Sequence, residues 1–282
     1  MFHMELFSSS IASGAKTFAQ LDYSTVDNVL LPLVNGMQVS VNLPNVHSLM
    51  PIGAHMCGVR MQSTSMLPFP YPTLTPVNRG SAFESPPRVW DFSQNPWPLK
   101  PTEEFDIFAS QNEGSSETEY CFVNYCDGKP TPYPVALLQG PLAYASAQPG
   151  RFFTVHASSS VTLTAGAWSL CQPSFDQALP PGMYALVGAS AFSATGLAFR
   201  MFPSQSPQWR PGGIMKQTYD ALDPPNQRAW QQGYPTAMGW GVWLTFFQNV
   251  PPQVEIYATS ADTAEEFWWD LIYISTAVTG GP

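Results

Sequence analysis

Basic residues are scarce in this chain. Eleven Lys and Arg stand against twenty Asp and Glu in 282 residues, a formal charge of −9, and the eleven are scattered without a run. Nucleic-acid binding rests mainly on neutralising phosphates, so holding a genome by direct contact is excluded as a role. Charged residues of both signs reach only 11%, too few to dress exposed helices with Glu, Lys and Arg. No apolar run approaches the roughly 20 residues that span a bilayer as a helix. The start, Met1-Phe2-His3-Met4-Glu5-Leu6-Phe7, lacks the basic segment and long apolar segment of a signal peptide, and Ser8 to Ser13 is mostly small and polar. The chain is therefore expected to be made and used without Sec export. Four cysteines are too few for a disulfide framework, and Cys121 and Cys126, five apart on a predicted strand, point to opposite faces. All four read as ordinary thiols.

Constellations that carry chemistry are also missing. The four histidines, His3, His47, His55 and His156, form neither the HxH nor the HExxH spacing that brings two imidazoles to one metal. His55 and His156 fall in strand-like blocks and read as hydrogen-bonded structural residues. Gly188-Ala189-Ser190-Ala191-Phe192 begins like a nucleophile elbow but lacks the second glycine, and no GxxxxGK[ST] phosphate loop occurs. Carboxylates cluster twice, as Glu103, Glu104, Asp106, Glu113, Glu117 and Glu119 and as Glu255, Asp262, Glu265, Glu266 and Asp270. Paired carboxylates hydrolyse glycosides on many β proteins. Here both clusters fall in a duplicated segment, which reads as a shared scaffold with solvated faces. No catalytic residue, cofactor or metal ligand is predicted.

What the chain has is 13% aromatics, 29 Pro, 20 Gly and 44% hydrophobic residues, a composition that predicts an all-β fold and excludes disorder. Phe105 to Cys126 and Val254 to Ser275 align without a gap at a constant offset of 149 residues. Only Ile107/Ile256, Ala109/Ala258 and Glu117/Glu266 are identical, but apolar falls on apolar, Asp106 on Glu255, Ser110 on Thr259 and Glu113 on Asp262. Each copy reads as strand, polar turn, strand, a hairpin closing its half of the chain.

The duplication divides the chain into an N-terminal arm over 1–15, a first β-sandwich over 16–128, a linker over 129–149 and a second β-sandwich over 150–282. Lys129-Pro130-Thr131-Pro132-Tyr133-Pro134 is the stiff, extended start of that linker. In the arm, Phe2, Leu6, Phe7 and Ile11 are spaced for a short amphipathic contact, with a flexible or strand-swapped arm as the alternative. Strands are predicted around Lys16–Val26, Val29–Val34, Met37–Leu43 (after the turn signal Asn35-Gly36), Ala54–Gln62, Arg151–Ala157, Ser160–Ala165, Met183–Phe192, Leu197–Phe202 and Trp240–Gln248. Pro68 to Pro101 is a long proline-rich segment barred from helix and central strand, Ser204 to Gly213 is its counterpart, and Pro225 to Gly233 has room for a short helix. Strand blocks about ten residues apart, joined by Pro and Gly turns, mark a sandwich or barrel.

Nine tryptophans complete the inventory. Trp209, Trp230, Trp240 and Trp243 lie in or beside second-half loops, where aromatics stack on sugars or anchor interfaces. Trp268 and Trp269 are adjacent on a strand, so one faces inward and one outward. Trp209, Trp230, Trp268 and Trp269 are the interface candidates.

Taken together, the repeated segment closing each half and the proline-rich loops ahead of it resemble the double jelly-roll major capsid proteins of icosahedral viruses, often tailless and membrane-containing, bacteriophages among them. The resemblance is architectural and spans nearly the whole chain. It implies a structural protein that assembles as a homotrimer of pseudo-hexagonal outline, tiles a capsid lattice, and meets other capsid proteins such as a penton. It also implies a virion location after synthesis in the host cytoplasm, no direct nucleic-acid contact, and an N-terminal arm near an internal membrane. The competing readings are a glycan- or receptor-binding β protein that uses its loop tryptophans, and a β-sandwich glycoside hydrolase.

Overall fold

The structure is a computed structural model and describes residues 2–12, 14, 17–23, 37–40, 42–53, 55–67, 71–74, 90–92, 96–112, 114–128, 152–203, 210–215 and 243–275. Apart from one 3-10 turn at Thr64–Met66, the regular structure among them is strand. No helix of the described residues is long and apolar enough to cross a membrane. The chain divides into two compact units, Met1–Gly128 and Lys129–Pro282.

The first unit contains β1 Phe2–Ile11, β2 Ala19–Tyr23, β3 Met37–Gln38, β4 Asn45–Ile52, β5 Met56–Ser63, β6 Thr73–Leu74, β7 Trp90–Asp91, β8 Trp97–Pro98, β9 Glu104–Gln111 and β10 Glu117–Cys126. The strands run in the order β6-β5-β9-β2-β1-β10-β4-β7, with β3 beside β9 and β8 beside β4. The ladder between β1 and β2 is short, Phe7↔Tyr23 and Ser8↔Asp22. At that narrow seam the sheet turns over on itself, and its two halves enclose one core. Phe7, Ile11, Leu49, Cys121, Val123 and Tyr125 come from one half, and Leu21, Val59, Met61, Phe105, Ile107 and Ala109 from the other.

The second unit contains β11 Phe152–Ser159, β12 Trp168–Cys171, β13 Ser174–Phe175, β14 Met183–Phe192, β15 Gly196–Phe202, β16 Gly212–Ile214, β17 Leu244–Phe247, β18 Gln253–Ala258 and β19 Glu265–Ser275. One sheet is β13-β11-β19-β14-β17 and the other β12-β18-β15-β16. Setting aside the small accessory strands β3, β8 and β13, the described residues of each unit form eight strands whose chain order maps onto the sheets identically. The first, eighth, third and sixth form one sheet (β1-β10-β4-β7 and β11-β19-β14-β17). The second, seventh, fourth and fifth form the other (β2-β9-β5-β6 and β12-β18-β15-β16). That order is the jelly roll, written twice.

Several expectations need correction. Residues 2–11, expected in a free arm, are β1, paired along its full length with β10 from Phe2↔Cys126 to Ile11↔Glu117. Leu6, Phe7 and Ile11 are buried, so this segment offers no amphipathic face to a membrane. Its apolar residues fit a strand because both faces of β1 are covered, which erases the alternation that marks a half-exposed strand. The repeated segment is not a hairpin. β9 bonds to β2, β3 and β5 while β10 bonds to β1 and β4, so each copy is a corner that carries the chain between facing sheets.

Nor does the ungapped alignment hold through that corner. Phe105, Ile107 and Ala109 face the first core as Val254, Ile256 and Ala258 face the second, as the offset of 149 requires. Beyond the corner, the inward positions are 119, 121, 123 and 125 in β10 but 265, 267, 269 and 271 in β19, where Glu265 lies against Cys171 of the opposite sheet. An odd offset therefore lays inward on outward, because the two corners differ in length by an odd number of residues. Class matching could not register it, because both faces of the second strand are largely buried in each copy.

Among the predicted strands, Met37–Leu43 shortens to β3, and Ser160–Ala165 is coil apart from a single bridge, Ala165↔Ala258. β4 has no counterpart among the predicted strands, because Pro44 and Pro51 bracket a stretch that contains His47 and Ser48. Pro51 is tolerated there because it pairs with Cys121 on one side and lies past the reach of β7 and β8 on the other. The turn signal Asn35-Gly36, the linker 129–149, the predicted strand Val29–Val34, most of the proline-rich segment and the short helix at 225–233 lie outside the described residues.

Candidate functional site

Of the interface candidates, Trp209 and Trp230 lie outside the described residues. Trp268 and Trp269 take opposite faces of β19, as adjacent strand residues must. Trp269 is fully buried, 5.1 Å from the Phe175 ring and 6.2 Å from that of Phe246, so it is a core residue of the second unit. Trp268 is half-buried on the outward face, its ring centroid 5.1 Å from that of His156. Trp243, expected in or beside a loop, is buried and stacks on Phe199 at 6.1 Å.

The acidic clusters are less solvated than their sequence context implied. Glu103 is tied down by Thr64, Ser65 and the Lys100 amide, and those hydrogen bonds outweigh its partial burial and hold its carboxyl below the usual range. Glu104 is exposed. Glu119, Glu255, Glu265 and Asp270, by contrast, are buried. Asp270 accepts a hydrogen bond from Thr154 at 2.6 Å. Glu255 on β18 sits opposite Arg200 on β15, with Arg200 Nε 2.6 Å from Oε2 and Arg210 Nη1 at 2.9 and 3.1 Å from its two oxygens.

Arg200 is a fully buried arginine, and its guanidinium lies 4.0 Å above the Trp168 ring, with Arg210 4.6 Å above Phe202. Both oxygens of Glu255 are taken up by guanidiniums, and a guanidinium flattened on an indole is spent on packing. The cluster therefore holds β15, β18 and the segment around Arg210 together. Sequence reasoning passed over it. The available signal was one arginine inside the apolar run Leu197-Ala198-Phe199-Arg200-Met201-Phe202, since a charge buried in a strand requires a partner.

The histidines are engaged with neighbours. His55 Nδ1 lies 2.9 Å from both oxygens of Glu117, His156 Nδ1 2.5 Å from Asp176, and His3 Nε2 2.6 Å from Glu5 in a fully buried pair. Burial pushes His47 down to about 3, so it stays neutral near pH 7. Among the described residues no group of three or more His, Cys, Asp or Glu is placed to hold a metal ion. The four cysteines are free thiols, and burial raises Cys126 and Cys171 to about 11 and Cys121 higher still. Ser190 sits within β14, away from any strand-to-helix turn.

No family model matches the sequence, and no curated protein matches it. One solved structure to which the chain is similar is that of the major capsid protein P2 from bacteriophage PM2, matched over 98% of each chain at 11% identity with a TM-score of 0.23. A superposition that loose carries no weight for function. The two jelly rolls stand on the strand order of this chain alone.

Proposed function

We propose that this chain is a structural shell subunit, a major capsid protein that works as a homotrimer. The reading is supported above all by the two jelly rolls of identical strand order carried in one chain. Three such chains bring six similar sandwiches around a threefold axis, so that each lateral contact is nearly repeated and one polypeptide fills a hexagonal lattice. Its pairing partners are copies of itself and, at lattice vertices, a different capsid protein. The acidic composition suits a shell that does not touch nucleic acid directly. Its location is the virion, after synthesis in the host cytoplasm. We assign it no catalysis, a reading supported by the engagement of His55 with Glu117, of His156 with Asp176 and of Glu255 with two arginines.

Mass measurement in solution across a concentration series tests the proposal. A species of three chains is expected, and Trp209→Ala or Trp230→Ala weakens it if those rings are interface anchors, which commonly contribute about 2 kcal/mol or more. A chain that stays monomeric at high concentration defeats the reading.

A further inference from the structure

Two of the corners at which each jelly roll carries the chain between its sheets are neighbours, one linking the third and fourth strands and one linking the seventh and eighth. Both units tie these corners together with a carboxylate. In the first, Glu117 at the start of β10 holds His55, between β4 and β5, and the Asn112 amide donates to the His55 carbonyl. Gln111 adds its side-chain amide to the carbonyls of Ile11, Ala12 and Ser115. In the second, Asp262, between β18 and β19, accepts hydrogen bonds from the Ser193 hydroxyl at 2.9 Å and the Ala194 amide at 3.0 Å, between β14 and β15.

Just inside each tie sits a second carboxyl whose two oxygens lack a close hydrogen-bond partner. Glu119 and Glu265 are both fully buried, both within the first three residues of the eighth strand, both on its inward face, and both opposite a serine of the first strand. Those serines are Ser9 and Ser159. The Glu119 carboxyl lies so close over Gly53 that a Cβ there would be 1.5 Å from Oε2, and glycine is what leaves the carboxyl its space. Among the described residues, the charged and titratable groups around Glu119 are Glu117 on its own strand and His55 in the facing corner. Around Glu265 they are Asp262 in the corner and the Cys171 thiol on β12.

We propose that each jelly roll carries a proton-operated clasp at this end, in which an outer carboxylate ties the two corners and the inner carboxyl must stay protonated for the corners to remain closed. An ionised inner carboxylate would stand unsolvated beside the carboxylate of the tie. Burial first, and that neighbouring charge second, raise both inner groups to about 7. His55 tempers the rise at Glu119, and its own backbone and the Ser159 hydroxyl, short of a full hydrogen bond, temper it at Glu265. The sign follows. An unfolded glutamate ionises near its ordinary 4.5 while the folded one keeps its proton to about 7, so the stabilising protonation is complete below pH 4.5 and lost as pH rises toward 7. The clasp does not depend on assembly, and a monomer would carry it equally.

Thermal unfolding of the full chain at several values between pH 5 and pH 8 tests this with the wild type, Glu119→Gln, Glu265→Gln and the double variant. The wild-type midpoint is expected to fall by several degrees across the range, each single variant to remove part of the fall, and the double variant most of it. A double variant that loses stability as steeply as the wild type overturns the proposal. If the variants do not fold, infrared difference spectra of the wild type decide. Burial raises Asp106 to about 6 as well, so a protonated-carboxyl band that disappears between pH 5 and pH 8 and is larger than one carboxyl accounts for supports the clasp, and a wild type with no such band, or a band of one carboxyl, overturns it.

Discussion

The two jelly rolls share a strand order but are filled with different material. The first core draws on methionine, with Met56, Met61 and Met66 beside edge-to-face contacts of Phe105 with Phe7 and Tyr125. The second is built on rings. Tyr184 alone lies within 5.9 Å of Phe153, Phe246 and Tyr273, and Trp269 joins Phe175 to Phe246. Buried polar pairs differ as well, as His3 with Glu5 in one and Glu255 between two arginines in the other. Strand order thus survives replacement of nearly every residue inside, because it depends on where apolar positions and turns fall and on total volume.

That comparison breaks most visibly at the core. Trp269→Ala is expected to cost the second unit about 3–5 kcal/mol, and Met61→Ala in the first about 2–3, because a flexible methionine leaves a gap that neighbours fill more readily. Urea denaturation of both variants checks the order, and equal losses would show that the two fillings are equivalent. Next comes the buried charge. Glu255→Gln leaves the Arg200 guanidinium buried without its carboxylate and is expected to cost about 3 kcal/mol. Replacing Arg200, Glu255 and Arg210 together with apolar residues of similar size should cost far less, and denaturation of both variants reads the difference.

A pH effect confined to the first unit sharpens the contrast further. His47 is held neutral by burial down to about 3, whereas the unfolded residue takes a proton near 6.5. Stability from this group is present above pH 6.5 and drains away as pH falls toward 3, on the order of 2 kcal/mol after allowance for relaxation. His47→Asn should flatten that acid limb, which denaturation midpoints at pH 4 and pH 7 would show. Gly53→Ala, which drives a methyl into the Glu119 carboxyl, is expected to cost about 1–3 kcal/mol. Asp176→Asn, at an exposed pair with His156, should cost less than about 1 kcal/mol.

Parts of this were legible in the sequence for physical reasons. Val254, Ile256 and Ala258 alternate with polar or bulky neighbours as do Phe105, Ile107 and Ala109, so the repeated strand could be read as a strand. Whether the next strand pairs with it or crosses to the other sheet was not legible, since both outcomes use the same residue classes. β1 was missed because it is buried on both faces, and Glu119 and Glu265 because a carboxylate in a cluster looks solvated until the sheets close over it. The Arg200 cluster brings together residues 200, 210 and 255, a distance in sequence that no local pattern spans.

The most direct test of the shell reading is the outline of the particle itself. Class averages from electron microscopy of the purified protein should show three chains as a ring of six lobes of nearly equal size, one per jelly roll. Single-chain particles, or trimers with three unequal lobes and no sixfold outline, would contradict it.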